Sequence, residues 1–539
     1  MDISDIFCVP FQDQRPGTSG LRKKTDHFFQ PHYLETFLQA IFNVLARSAI
    51  DLRPLIIGGD GRFGNIQAIQ TALRIAQANG VRHAMVGCNG ILSTPAASHA
   101  IRMHKAFGGL IFSASHNPGG PDGDFGVKFN AENGGPAPES LTEEIFKESQ
   151  RLDRYRIASD QSFPIDTPGD YERGSMRVTA FDPVEDYVRL MQSLFDFDLI
   201  RSRLKTGLRF VYDGMAAVTG PYARAIFGAA LGLPPSALLN CTPLPDFGGH
   251  HPDPNPAHAR DLMAIMMGEK APDLGAASDG DGDRNMIVGP RLPLSPSDSL
   301  AVLAANAHLA PGYRHGLRGV ARSMPTSRAV DMVAQKLGIP CYETPTGWKF
   351  FGTLLDAEKI TLCGEESYGT SSNHVREKDG IWAILFWLNI LAARDLSVRD
   401  ILRDHWQTYG RHYYSRHDYE NLPAEIGAAV MEQARRALAD LQHKEADLTL
   451  ADDFSYHDPV DGSETSRQGI RLIYENGDRV ILRISGTGTS GATLRLYLER
   501  FSHDHQAPAE EVLSPLARRA EAIFGIQRLS GRAAPDVVT

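Results

Sequence analysis

Cysteine is scarce. Five occur in 539 residues, at 8, 88, 241, 341 and 363, with no Cys-x-x-Cys pair among them. That excludes a disulfide framework and a zinc site of the usual spacing, and it makes a reducing compartment, the cytoplasm, the expected location. Long apolar runs are missing as well. The longest, Ile381 to Ala393, is too short to span a bilayer and contains Asn389, so it reads as a buried helix. Residues 1–20 are polar and lack the apolar core of a signal peptide. Nor is there a basic excess: 55 Lys and Arg stand against 65 Asp and Glu, a net charge of -10. Phosphate backbones are held by clustered Lys and Arg, so nucleic acid is excluded as the main partner, whereas a small phosphorylated substrate needs only a local basic pocket. No short repeat runs through the chain, which excludes a solenoid. No heptad seam marks an obligate assembly, so the expected state is a monomer, with a homodimer as the alternative.

What is present is the composition of an ordinary globular protein, 42% hydrophobic and 22% charged, on a chain too long for a single core. Short apolar runs alternate with helical patterns. Pro54 to Asp60 and His83 to Gly87 read as strands around a helix at Ile66 to Ala78, and Leu208 to Asp213 repeats the theme before a helix starting near Gly220. This alternation predicts mixed α/β units. Residues 150–182 are polar and turn-rich, and read as a linker or an excursion at a domain edge. Residues 415–470 have few continuous apolar runs, and strands follow near 469–475 and 478–485, so the C-terminal part differs in kind.

Four loops carry chemistry. The first is Ser113-Ala114-Ser115-His116-Asn117-Pro118-Gly119, where an apolar run enters a turn and sets a serine hydroxyl beside an imidazole, the arrangement of a nucleophile or a carrier of a transferred group. The second is Asp279-Gly280-Asp281-Gly282-Asp283-Arg284. Three alternating carboxylates that converge repel one another unless a hard cation joins them, and an all-oxygen set suits Mg²⁺ or Ca²⁺. An EF-hand needs Gly at its sixth position and Glu at its twelfth, and these places hold Arg284 and Pro290. The third loop, Gly364-Glu365-Glu366-Ser367-Tyr368-Gly369, sets a carboxylate and a hydroxyl at a spacing that suits sugar hydroxyls, with His374, Arg376 and Lys378 downstream and Thr346-Gly347-Trp348-Lys349 upstream. The fourth, Arg483-Ile484-Ser485-Gly486-Thr487-Gly488-Thr489-Ser490-Gly491, contains Gly-x-Gly-x-x-Gly, but strand periodicity rather than a helix follows, so the dinucleotide reading fails. A Gly/Ser/Thr loop flanked by Arg483 and Arg495 reads as a phosphate clamp or as a flexible hairpin turn. Thr18, Ser19 and Arg22 in an N-terminal turn, Asp60-Gly61-Arg62, and Lys128 are weaker anion contacts. His250-His251 suggests a metal, but its Gly and Pro surroundings favour a structural turn.

In their order, these loops resemble the α-D-phosphohexomutase superfamily and, within it, the phosphoglucomutases best known from eukaryotes. The resemblance covers nearly the whole chain. It runs through Gly17-Thr18-Ser19-Gly20, Asn89 to Pro95, the Ser115 loop, Asp246 to Asn255, the three-Asp loop, Pro345 to Phe351 and Ser485-Gly486-Thr487-Gly488. It implies three related mixed α/β domains and a C-terminal α+β domain around a central cleft, with expected bounds 1–180, 181–290, 291–402 and 403–539. It implies reversible interconversion of α-D-glucose 1-phosphate and D-glucose 6-phosphate, through a phosphoserine at Ser115 and a glucose 1,6-bisphosphate intermediate that also primes the enzyme. By the same resemblance, Asp279, Asp281, Asp283 and a phosphoserine oxygen hold Mg²⁺. Glu365 and Ser367 contact the sugar. Arg483, Ser485, Gly486, Thr487 and Arg495 hold the unreacting phosphate. Thr18, Ser19, Arg22, Lys128, Arg284, Thr346, Gly347 and Lys378 fill further active-site positions, and either Lys378 or His116 assists proton transfer. Tyr368 and Thr489-Ser490 depart from the pattern without removing a functional group. A phosphomannomutase and a non-catalytic scaffold are the alternatives. The form of Glu365 to Gly369 favours glucose, and the intact reactive loop favours an enzyme.

Overall fold

In the computed structural model, which describes residues 3–46, 53–159, 162–486 and 491–539, three sheets share one plan. Parallel strands fill the middle of each sheet, and one of them runs into a loop and returns antiparallel. The first sheet has the order Leu21–Lys24, Asp124–Ala131, Gly108–Phe112, Leu55–Gly59, His83–Ile91, Met176–Phe181, Gly169–Arg173. Gly108–Phe112 lies parallel to Leu55–Gly59, then the chain passes Ser115 and returns antiparallel as Asp124–Ala131. In the second sheet Leu274–Ser278, parallel to Phe210–Asp213, passes the three aspartates and returns as Asn285–Gly289. In the third, Leu362–Gly364, parallel to Val320–Ser323, passes Glu365 and returns as Thr370–Ser372. All three loops therefore leave the carboxyl end of a parallel strand, where open α/β sheets bind ligands.

Strand side chains alternate between faces. Leu55 and Ile57 point into one core with the helices Tyr33–Ala46 and Asn65–Ala78. Ile56 and Ile111 point into another, shared with the helix Thr94–Met103 and continuous through the second and third sheets. The helix Gly380–Arg394 runs through that second core with every residue from Gly380 to Ala392 buried. Its sequence is apolar on all sides, as such burial requires, and the Asp379 side chain caps it by accepting from the Trp382 N–H at 3.0 Å. Among the described residues, no single helix is long and apolar enough to cross a membrane.

Of the two readings of residues 150–182, the structure shows the excursion at a domain edge and not the linker. Met176–Phe181 pairs in parallel with His83–Ile91, and Gly169–Arg173 closes the edge. The alternation in Met176–Phe181 buries Met176, Val178 and Ala180, a pattern hidden by its polar neighbours. The helix expected near Gly220 is Thr219–Ala223, continuing as a π-helical segment, Arg224–Ala230. The bound expected after residue 402 falls within the helix Val398–Tyr409, and the fourth sheet begins at Arg411.

That sheet is antiparallel, in the order Leu448–Asp453, Ile470–Tyr474, Arg479–Gly486, Ala492–Ser502, Arg411–Leu422, Val537–Val538. The helices Ala424–Lys444 and Ala509–Phe524 cover the face carrying Leu482, Leu494 and Leu496. The opposite face carries Ile481 and Tyr497, which pack with Met324 and Phe350 of the third unit.

Candidate active site

Ser115 stands at φ 52°, in the left-handed region. A residue with a Cβ pays about 1–2 kcal/mol there, so its surroundings must hold it. Ser113 accepts the Ser115 N–H at 2.7 Å and donates to Asp60 at 2.6 Å. Arg62, fully buried, donates to the Ser115 carbonyl at 2.9 Å, to the Asp124 carbonyl at 2.7 Å and to both oxygens of Asp60. The sequence suggested an anion contact for Arg62; the structure spends its guanidinium on bracing this loop. So held, Ser115 is 1% exposed and its Oγ donates to Asp279 Oδ2 at 2.8 Å.

Asp279, Asp281 and Asp283 are all buried, and each offers a carboxylate oxygen within 4.8 Å of the others. Burial, and then the charges of Asp283 and Asp281, push the Asp279 carboxyl well above its ordinary value. Burial also opposes the charge of Asp281, but Lys128 at 2.5 Å and the Thr94 hydroxyl at 2.6 Å outweigh it and hold that carboxyl below the usual range. Lys378 lies 3.2 Å from Asp283. Asp281 Oδ1 and Asp283 Oδ1 are buried with no hydrogen-bond partner among the described residues, and Asp283 Oδ1 lies 4.0 Å from Arg284 Nε. Orphaned, converging carboxylate oxygens fit a hard cation such as Mg²⁺.

The third loop locks onto the second. Asn285 N–H donates to the Tyr368 carbonyl at 2.9 Å, Gly380 N–H donates to the Gly282 carbonyl at 3.1 Å, and Arg284 bridges Gly369. Glu365 is buried and accepts from the Gly347 N–H at 3.3 Å, which ties the Thr346-Gly347 turn to it; burial is the largest cause that raises its pKa. Ser367 is half-buried in the same turn. Arg22, on the strand Leu21–Lys24, lies in the field of Asp281 and Asp283. Thr18 is exposed and Ser19 half-buried. The Thr18 methyl lies 3.8 Å from where a Cβ on Gly347 would sit. His116 is held neutral, first by burial and then by Arg284, Arg22, His251 and Lys378 around it. Arg22 Nε, Arg284 Nε, His116 Nδ1 and Thr346 Oγ1 are buried without a hydrogen-bond partner among the described residues. Unsatisfied donors and unsatisfied carboxylates thus occur in the same set of loops. A cavity of about 660 Å³ lined by Arg224, Leu233, Leu238 and Cys241 lies apart from them.

On the fourth sheet, Arg483 stands directly opposite Arg495, and Ser485 opposite Thr493. Like charges facing each other across strands destabilise a sheet unless an anion joins them. Arg495 lies 3.6 Å from Asp418, and Arg483 donates to the Gln468 carbonyl at 3.0 Å. Arg416, opposite Tyr497, shares their face. It was missed in the sequence because only strand register brings it there. Tyr497 donates to Glu366 at 3.2 Å, so this face abuts the Glu365 loop. Gly486 ends the strand Arg479–Gly486, and Thr487 lies outside the described residues.

Comparison with known proteins follows this layout unit by unit. The model described as phosphoglucomutase/phosphomannomutase alpha/beta/alpha domain I matches residues 13–156, domain II matches 185–291, and domain III matches 296–409. The phosphoglucomutase-1 C-terminal domain matches 411–536. A phosphoglucomutase from Rhizobium radiobacter is 53% identical over 543 residues, and one from Schizosaccharomyces pombe is 49% identical over 556, each aligned over 100% of both chains. The open-form crystal structure of the exocytosis-sensitive phosphoprotein pp63/parafusin, a phosphoglucomutase from Paramecium, superposes with a TM-score of 0.93 at 44% identity, covering 100% of this chain and 99% of that one. The chain belongs to the phosphoglucomutase family. It is an isomerase of the phosphotransferase type that interconverts glucose 1-phosphate and glucose 6-phosphate, built as three mixed α/β units and a C-terminal α+β unit.

Within this phosphoglucomutase fold, Gly280 is where the first two loops touch. A Cβ there would sit 2.3 Å from the Ser115 carbonyl oxygen. Gly280→Ala therefore displaces Ser115 from Asp279. Its kcat/KM falls by about 100-fold, the usual consequence of a misplaced reacting group, at a stability cost of about 1–3 kcal/mol. Steady-state kinetics and thermal melting check the two parts.

Proposed function

We propose that the reaction runs through a phosphorylated Ser115, with a phosphosugar as the small-molecule partner and the cytosol as the site of action. The observation that carries this reading is Ser115 Oγ at 2.8 Å from Asp279, beside carboxylate oxygens and cationic donors without hydrogen-bond partners among the described residues. The five free cysteines suit the compartment.

The phosphoryl group leaves Ser115 Oγ for the free hydroxyl of glucose 1-phosphate: the P–Oγ bond breaks and a new P–O bond forms at the sugar's 6-oxygen. The hydroxyl proton passes to a base, for which Lys378 and His116 are the candidates, and the departing Ser115 Oγ takes up a proton. Glucose 1,6-bisphosphate results and turns end for end; Ser115 Oγ then loses its proton and bonds to the 1-phosphoryl group, the bond from phosphorus to the sugar's 1-oxygen breaks, and that oxygen takes up a proton as glucose 6-phosphate leaves. Phosphoryl transfer asks for in-line positioning and charge neutralisation rather than new covalent machinery. Glu365 and Ser367 orient the sugar hydroxyls. Thr18, Ser19, Arg22, Lys128, Arg284, Thr346 and Gly347 line the reacting end. Arg483, Ser485, Gly486, Thr487 and Arg495, together with Arg416, grip the phosphate that does not react. Asp279, Asp281 and Asp283 would hold Mg²⁺ with a phosphoserine oxygen, and the bound ion supplies neutralising charge to the transferring group.

Two measurements test this reading. Chelation with EDTA abolishes turnover, and Mg²⁺ restores it. In addition, kcat/KM for glucose 1-phosphate exceeds that for mannose 1-phosphate by about tenfold or more, the scale on which one misplaced hydroxyl is rejected. Turnover that survives EDTA would remove the metal from the reading, and equal specificity constants would remove the preference for glucose.

A further inference from the structure

One turn-rich segment was left unexplained by the reaction. The sequence favoured a structural turn at His250-His251; in the structure His250 is exposed and takes no part, while His251 meets two later residues. His251, Asp253 and His258 each offer a ligand atom within 4.8 Å of the others. The two imidazole rings lie 4.4 Å apart between centroids. Two imidazoles and one carboxylate are the donor set of a borderline divalent transition ion, whereas Mg²⁺ and Ca²⁺ prefer oxygen alone.

A second observation points the same way. His251 Nδ1 is buried with no partner among the described residues, and such an atom in a native structure requires an explanation. The surroundings have the features of a working site. Asn255 donates to Asp253 Oδ2 at 2.8 Å, an outer contact of the kind that orients a ligating carboxylate. His258 is exposed, which gives an ion a way in. The segment is also anchored, because the Pro252 carbonyl accepts the Gly280 N–H at 3.2 Å.

We infer that His251, Asp253 and His258 form a second metal site, selective for a Zn²⁺-type ion and distinct from the three-aspartate loop. Three protein ligands leave a position for water. Asp253 Oδ1 lies 3.4 Å from Arg284 Nη1, and the rings of His116 and His251 are 6.2 Å apart, so the site borders the reaction centre without sharing a residue with it.

The test is direct metal binding rather than activity. Zn²⁺ is titrated calorimetrically into the wild type, His258→Ala and Asp283→Asn, with Mg²⁺ present throughout. His258 is exposed, so its variant keeps the fold and the Mg²⁺-supported turnover. The expected result is one more Zn²⁺ per chain in the wild type than in His258→Ala, or the same site weakened by about tenfold or more, with the His258-dependent uptake retained in Asp283→Asn. Equal uptake and affinity in wild type and His258→Ala would overturn the inference. Loss of the same Zn²⁺ in both variants would reduce the two sites to one and overturn it as well.

Discussion

Ser115→Ala lowers glucose 6-phosphate formation by about four orders of magnitude or more, the scale on which loss of a nucleophile acts, while the protein stays folded. The reason is that the neighbouring serine cannot take its place. Ser113 lies two residues away, but its Oγ already donates to Asp60 at 2.6 Å and accepts the Ser115 N–H at 2.7 Å. The stability cost is one hydrogen bond to Asp279, about 0.5–1.5 kcal/mol. A coupled assay for glucose 6-phosphate and a thermal melt on the same preparation separate the two effects. A variant that kept a tenth of wild-type turnover would mean that Ser115 carries no transferred group.

The second large effect concerns how the fourth unit is held. Arg479 is 2% exposed and donates to Glu499 at 2.7 Å, to Glu343 at 3.2 Å and to the carbonyls of Met324 at 3.2 Å and Thr326 at 2.9 Å. Glu343, Met324 and Thr326 belong to the third unit, so one guanidinium ties the two together. Arg479→Met leaves the buried Glu499 carboxylate without a paired guanidinium, and among the described residues it keeps the His412 imidazole at 2.6 Å and the Arg328 N–H at 2.8 Å as hydrogen-bond partners. Removing one member of a buried ion pair costs about 3–5 kcal/mol. For a unit of this size that is a fall of about 10 °C or more in its melting transition.

This interaction also fixes a pH dependence. Burial opposes the charge of Glu499, but Arg479 and the His412 hydrogen bond overcome it, so the native carboxyl titrates below its ordinary value. A depressed native pKa stabilises the fold above the unfolded value of about 4.3 and ceases to do so as pH falls through the native one. Acidification from neutrality through the carboxylate range therefore costs wild-type protein more stability than it costs Arg479→Met. Denaturant midpoints for both proteins at several pH values check the sign. Parallel losses in the two would contradict it.

The chemistry that was readable in the sequence is the chemistry that is local in it. Ser115 with His116, and the three aspartates with their glycines, are short strings whose residue types carry the meaning by themselves. The contacts that tune them are not local. Thr94 reaches Asp281 across 187 positions and Lys128 reaches it across 153. No periodicity announces either, because the sheet order that joins them depends on pairings between distant strands. Arg62 shows the limit in the other direction. A buried guanidinium beside Asp60 reads in sequence as an anion contact, and only packing reveals it as a brace for Ser115. Met176–Phe181 was hidden for a similar reason: its apolar positions alternate within a charged stretch, and only its parallel neighbour, His83–Ile91, makes it a strand of the sheet. The Arg483–Arg495 pair was legible as flanking charge, whereas Arg416 became visible only through the register of Arg411–Leu422 against Ala492–Ser502.

The central claim is that Ser115 carries the phosphoryl group between the two ends of the sugar. The most direct test is to incubate the protein with glucose 1,6-bisphosphate labelled with ³²P, digest it, and locate the label. The account predicts label on the peptide containing Ser115, and its transfer to glucose phosphate when unlabelled glucose 1-phosphate is added. Label on any other residue, or isomerisation at full rate with no labelled protein at any stage, would contradict it.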